Sequence, residues 1–419
     1  MAYYRLLNNE RVTVGELNRS LCDQCEEQIE GRDVLAISDT SEINLNRHRG
    51  RLKPEKLGVL GNNKDVGIFM HPTLMLDAQD GLPLGLSHVH LWNRPQERED
   101  KHSRKYQQQI IEDKESFKWL KVAQQSQRCW AAANRVTYIA DREADIYEVW
   151  ERTPKLLAHA LFRVCRDRNI KESPQKLYTY LSRQPIMGTY AFNVQGDKRK
   201  KRREREAWMT VRFAPVTLCI PKNFQGQGYA PTLQLYALEA REIQPPAGQT
   251  AIHWRLMTTH PIGTLERALQ IIQWYGWRWR IEQFFAVVKQ DGLDVESTQL
   301  ESVAAIERLL LLSLGAAVRI LQLCLGRQDT ERSASLVFSP TQQQFLTHLS
   351  PSLSGRTSRQ QNPFPPHSLA WAAWLVARLG GWSGYKSQRP PGVALMFRGL
   401  RQFESLFQGW SLALNSISV

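Results

Sequence analysis

Three carboxylates in this 419-residue chain stand where residue type and spacing allow chemistry to be read. Asp39 follows the short apolar run DVLAI at residues 33–37, and Asp141 follows a second run at residues 136–140. Both runs have the length and continuous apolar character of buried strands, which puts each aspartate at a strand's C-terminal end. An aspartate there is most often a turn or helix cap, so neither carries the argument alone. The third acid, Glu282, lies in WYGWRWRIEQFFAVVK, residues 274–289. Read as one helix, Tyr275, Arg278, Glu282 and Lys289 sit at offsets 0, 3, 7 and 14. At 100° per residue they share one face, within an arc of about 60°. A carboxylate flanked by a phenol, a guanidinium and an ammonium fits a metal ligand set among phosphate contacts. The competing explanation is a solvated face held by local ion pairs. Hard divalent cations take oxygen ligands, and phosphodiester hydrolysis or transfer uses two of them, about 3.5–4 Å apart.

The elements that must position these residues follow from pattern. Residues 66–77 and 83–92 flank Asp80 and Gly81, a turn-forming pair, and predict an antiparallel hairpin beside the first strand. Residues 107–127 have helical length and mixed charge, and the strand ending at Asp141 runs into READIYEVWER, a helix with acidic residues in its first turn. Glu143 and Asp145 are explained there by the helix dipole and are not assigned to metal. From about residue 162 to 256, short β-like runs separated by Pro, Gly and charged loops predict a β-rich insertion. Residues 265–289 are helical in composition despite Gly276, which costs about 1 kcal/mol in a helix interior. Val303–Leu325 is a further amphipathic helix. Residues 327–366, rich in Ser, Thr, Gln and Pro, look like a linker with short helical pieces, and helical patterning returns after residue 367.

Composition bounds the partners. Fifty-five Lys and Arg against 41 Asp and Glu give a net charge of +14, which favours a polyanion, nucleic acid before anionic membrane. The most apolar run, residues 309–325, contains Arg319 and falls short of the ~20 apolar residues of a membrane span, so no membrane partner is expected. The N-terminus lacks the apolar segment of a secretory signal, and a cytoplasmic protein, nucleoid-associated when bound, is the expectation. Cys22 and Cys25 form a CxxC with no second pair, for which helix-surface thiols are the plainer account. DKRKKRRERE, residues 197–206, is either a clamp for DNA phosphates or a solvated loop.

The strand-end aspartates, hairpin and helix together resemble a ribonuclease-H-like core. Tyr275, Arg278, Glu282 and Lys289 match all four positions of the YREK signature of bacterial insertion-sequence DDE transposases. ISDT around Asp39 and ADREADIYE around Asp141 resemble the segments holding that family's two catalytic aspartates, and residues 254–284 are similar to the Tn-five-type cut-and-paste enzymes. The resemblance implies that Asp39, Asp141 and Glu282 are catalytic and bind two Mg2+ ions, with Mn2+ able to substitute. It also implies that Tyr275, Arg278 and Lys289 contact phosphates and that Trp254 stacks a flipped base, where a core tryptophan is the plain alternative. Of the basic residues Arg163, Arg166 and Arg168, Arg166 is the preferred DNA contact.

The implied fold is α/β: a ribonuclease-H-like core over residues 33–161 and 257–326, interrupted by a β-rich insertion at 162–256. Residues 1–32 would be the remnant of an N-terminal DNA-recognition region, 327–366 a linker, and 367–419 a helical dimerisation region. The implied function is a transposase that nicks, forms hairpins at and transfers transposon ends, with double-stranded end and target DNA as partners. It would act as a homodimer or as a mixed dimer with a full-length enzyme, since only 38 residues precede Asp39 and end recognition is expected to be poor. A structure-specific nuclease on the same core and a non-transposing inhibitory DNA-binding protein are the alternatives.

Overall fold

The structure is a computed structural model of the full chain, and it describes residues 2–48, 50–52, 57–95, 109–194, 196, 203–385 and 388–417. It divides into two compact units. One comprises residues 30–39 and 99–279, the other residues 1–29, 40–98 and 280–419. We call these the strand unit and the helical unit.

The strand unit is built on a sheet in which β1 (Asp33–Ser38), β5 (Arg135–Ala140) and β6 (Ala158–Arg163) run parallel. β1 and β5 are buried along nearly their whole length, as the unbroken apolar sequence of a strand covered on both faces requires. The strands between residues 188 and 258 extend this same sheet. β10 (His253–Thr258) pairs antiparallel with β6, and β9 (Thr232–Glu242), β8 (Arg205–Cys219) and β7 (Gly188–Val194) follow outward, all antiparallel. The helix expected at residues 107–127 is observed at Lys118–Trp130, after two short 3-10 turns. Its Trp119 carbonyl accepts a 3.0 Å hydrogen bond from the buried Tyr138 hydroxyl on β5. Residues 197–202 of the basic run lie outside the described residues.

The helical unit holds the antiparallel strands β2 (Ser41–Asn44), β3 (Gly67–Asp77) and β4 (Pro83–Trp92), the last two forming the expected hairpin around Asp80 and Gly81. Helices Val14–Ile29 and Val303–Leu325 pack on β4. Backbone groups of β4 are satisfied by side chains from both helices. The buried Asn18 exchanges two hydrogen bonds with the Val89 backbone, at 3.0 and 2.9 Å, and Gln322 donates to the Pro83 carbonyl at 3.1 Å. This blunts the unpaired backbone of a strand. A Cβ at Gly85 would stand 2.7 Å from that of Cys25, so glycine is what lets Val14–Ile29 approach so closely. Cys22 and Cys25 are accordingly buried, and the surface-thiol reading of the CxxC does not hold. Val303–Leu325 is long and apolar enough to cross a membrane, but most of it is buried in the protein. Residues 327–366 carry the helix Pro340–Leu353, which buries Phe345 and Leu346, and Arg332, which pairs with Asp77 and Asp80 of the hairpin.

Candidate functional site: strand-end aspartates and a basic, aromatic rim

Parallel pairing sets the relation between the two aspartates. β1 and β5 run in register, with Ile37 opposite Ile139, so that Asp39 and Asp141 each stand two residues past a matched pair. Both therefore leave the same edge of the sheet, at the C-terminal ends of parallel strands, where α/β sheets bind ligands. Asp141 caps the 3-10 turn Arg142–Ala144: its Oδ1 accepts from the Glu143 N–H at 2.7 Å. Asp39 is held by Arg278, whose Nη1 donates to Oδ2 at 2.8 Å in a largely buried ion pair.

Tyr275 and Trp254 line the same unit. The Tyr275 ring lies edge-on to Trp254 at 6.0 Å, and Trp254 meets Phe192 of β7 at 5.2 Å on β10. Burial raises the pKa of the Tyr275 phenol; Arg278 and Arg163 pull it back, and the Asp141 charge adds to the rise. These shifts come from charges close to the hydroxyl, so Tyr275, Arg278, Arg163 and Asp141 form one electrostatic neighbourhood. Trp254 is half-buried between two rings, so it is neither a plain core tryptophan nor an open platform.

The one-helix reading of residues 265–289 is corrected. Helix Leu265–Gly276 ends at a turn through Trp277 and Arg278, a new helix runs Trp279–Ala286, and Val287–Asp291 is a π-helical segment. Gly276, the weak helix former, is the last residue of the first piece. The shared-face arithmetic for Tyr275, Arg278, Glu282 and Lys289 therefore does not apply. Within the helical unit, Glu282 occupies the first turn of Trp279–Ala286. Lys289 lies in the π-helical segment, a form found at functional sites more often than elsewhere. Its Nζ donates to Ser41 Oγ at 3.4 Å and lies 3.7 Å from Glu296.

The three basic residues after Asp141 divide by burial. Arg168 is buried, and its Nε and Nη2 donate to Asp145 Oδ1 at 3.0 and 2.6 Å. Asp145 also accepts from the Trp150 indole and from the backbone N–H groups of Cys165 and Arg166, at 3.0, 2.9 and 3.3 Å. Asp145 is thus the buried centre of a loop, which replaces the helix-dipole explanation. Glu143 pairs instead with Lys118 at 3.1 Å. Arg166 is exposed, whereas Arg163 is the one whose charge acts on Tyr275. Arg163 is the last residue of β6, whereas Arg166 lies beyond the strand, a distinction that shows only once the strand's end is known. The sequence reading also passed over Trp279, which is 61% exposed with the Arg278 guanidinium 5.5 Å over its ring.

The donor set fits hard divalent cations: two carboxylates leave one edge, and Asp39 already has a cation in contact with one oxygen. Residues 70–319 match the sequence model of the transposase DDE domain, a span that covers more than half of the chain and includes Asp141 and Glu282 but begins after Asp39. DDE transposases generally use divalent metal ions and bind DNA. With strand-end aspartates on a mixed sheet and that match across its middle, this chain belongs to the transposase DDE-domain family.

Proposed function

We propose that the chain is a cut-and-paste transposase in which Asp39, Asp141 and Glu282 form the catalytic triad and hold two Mg2+ ions. The in-register placement of Asp39 and Asp141 at the ends of β1 and β5 carries this reading, since it turns two residues 102 apart in sequence into one pair. Glu282 joins them by its place in the YREK spacing. Bound divalent cations would activate the attacking oxygen and stabilise the leaving oxygen of each phosphodiester exchange. Tyr275, Arg278, Lys289 and Arg166 hold phosphates of the transposon end, the arginines through charge-assisted hydrogen bonds. Trp254 offers a ring for a flipped base.

The proposed sequence of exchanges begins with water cutting one strand at the transposon end and releasing a 3′-hydroxyl. That hydroxyl attacks the opposite strand to close a hairpin, which water reopens before the 3′-hydroxyl joins target DNA. We further propose that the enzyme works in the cytoplasm as a homodimer through its C-terminal helices, where Val393–Ile417 exposes Leu406 and Leu412.

The test uses linear duplexes ending in the inverted repeats that border the source gene, with Mg2+ and a target plasmid. Asp39→Ala, Asp141→Ala and Glu282→Ala should each lose nicking by at least about a thousandfold while melting as the parent does. Full activity in any one removes that residue from the triad. Cleavage without joined product in the parent protein would favour the nuclease reading.

A further inference from the structure

The Arg278–Asp39 pair does more than position a phosphate contact. We infer that Arg278 is a placeholder cation, which blocks the metal-binding oxygen of Asp39 until DNA phosphate draws it away, so that metal binding is coupled to DNA binding.

The inference rests on the triad reading above and on three observations. Arg278 Nη1 lies 2.8 Å from Asp39 Oδ2, so a carboxylate oxygen on the metal-facing edge is already neutralised by a fixed positive charge. Both side chains are largely withdrawn from water, at 12% and 18% exposure, so the pair is weakly screened and a second cation beside Asp39 meets repulsion from the guanidinium. Finally, Arg278 sits in the two-residue turn between Leu265–Gly276 and Trp279–Ala286 rather than inside a helix. A turn residue can redirect its side chain without unwinding a helical turn. The non-bridging oxygens of a DNA phosphodiester offer the guanidinium the same two-acceptor geometry and the same single negative charge as the carboxylate, so phosphates held close along the backbone compete for Arg278 and leave Asp39 to the metal. Coupling of this kind is reciprocal: DNA tightens metal binding as much as metal tightens DNA binding. Its consequence is that the protein without DNA is a poor metal binder.

Mn2+ serves as the probe, with binding to the full-length protein read by electron paramagnetic resonance of the free ion, without DNA. Arg278→Gln should bind Mn2+ about tenfold more tightly than the parent, equivalent to about 1.4 kcal/mol. Adding Asp39→Asn to Arg278→Gln should abolish that gain. Thermal melting of each variant shows that the fold is kept, and Arg278→Lys, which keeps a cation near Asp39, should stay close to the parent. If the parent already binds Mn2+ as tightly as Arg278→Gln, and Asp39→Asn abolishes that binding, the placeholder role is wrong and the triad stands. If no variant shows Mn2+ binding that depends on Asp39, the triad reading fails and takes this inference with it.

Discussion

At the scale of single residues, neighbours decide what an acid or a ring does. Asp39, Asp141 and Asp145 are all aspartates at or just past strand ends, yet only the first two stand at matched positions beyond β1 and β5. Asp145 is sealed among four donors and belongs to the fold. Trp254 lies between Phe192 and Tyr275, and the proposed base-stacking role would separate two chemical steps. Trp254→Ala should leave the first nick within about threefold and lower hairpin yield by tenfold or more, on the scale of about 1–3 kcal/mol for one stacked base. Denaturing gels of end-labelled duplex resolve the two products. Equal loss of both would make Trp254 a structural residue.

At the scale of elements, two buried clusters hold the strand unit's shape. Asp145→Ala would leave Arg168 buried without its partner and release the loop between β6 and the residues after it. Breaking a buried pair in this way costs about 3–5 kcal/mol, which urea unfolding should detect. The second cluster lies under β5 and the start of Leu265–Gly276. His260 donates or accepts at Thr137 Oγ1 (2.8 Å) and Arg267 (2.9 Å) and stacks on His159 with ring centres 3.8 Å apart. Because Arg267 can only donate, His260 Nδ1 accepts from it and Nε2–H donates to Thr137, which fixes a neutral ring. Burial pushes its pKa down to about 2, helped by His159, Arg267 and Arg135. The folded form thus resists a proton that the unfolded chain takes up near pH 6.5, so stability is full above that pH and falls as the pH drops toward 2. Between pH 7.5 and 5 this one group should remove about 2 kcal/mol. His260→Gln should lose that part of the acid sensitivity in urea titrations at the two pH values. An unchanged pH dependence would mean that His260 takes up its proton equally in the folded and unfolded protein.

At the scale of the whole molecule, the net charge of +14 makes DNA binding salt-dependent whatever the sequence bound. Lys289, half-buried beside Ser41 and Glu296, is one of the cations this chain can commit to a phosphate. Lys289→Ala should lower end-DNA affinity and reduce the slope of log affinity against log salt by about 1. Fluorescence anisotropy at several salt concentrations gives that slope. No change would leave Lys289 as a partner of Ser41 and Glu296 only.

Local pattern was enough for the apolar runs before Asp39 and Asp141, the hairpin around Gly81 and the helix Val303–Leu325, because period and turn chemistry are properties of short stretches of chain. The same holds for the transposase DDE family, since motifs and their order along the chain are linear features. Other facts needed the folded chain. Periodicity ran straight through Trp277 and Arg278, where the backbone turns, because composition there is helical and only packing ends the helix. The insertion's union with the parallel strands depends on β10 pairing with β6, a contact between segments about 90 residues apart that no local signal encodes. The roles of Arg163, Arg166 and Arg168 were inseparable in sequence because all three are arginines within six residues. Burial against Asp145 made Arg168 structural, which only the fold could show. Sequence determined which residues were present and at what intervals; the tertiary fold alone decided which of them meet, because side chains far apart in the chain interact only where backbone pairing brings them together.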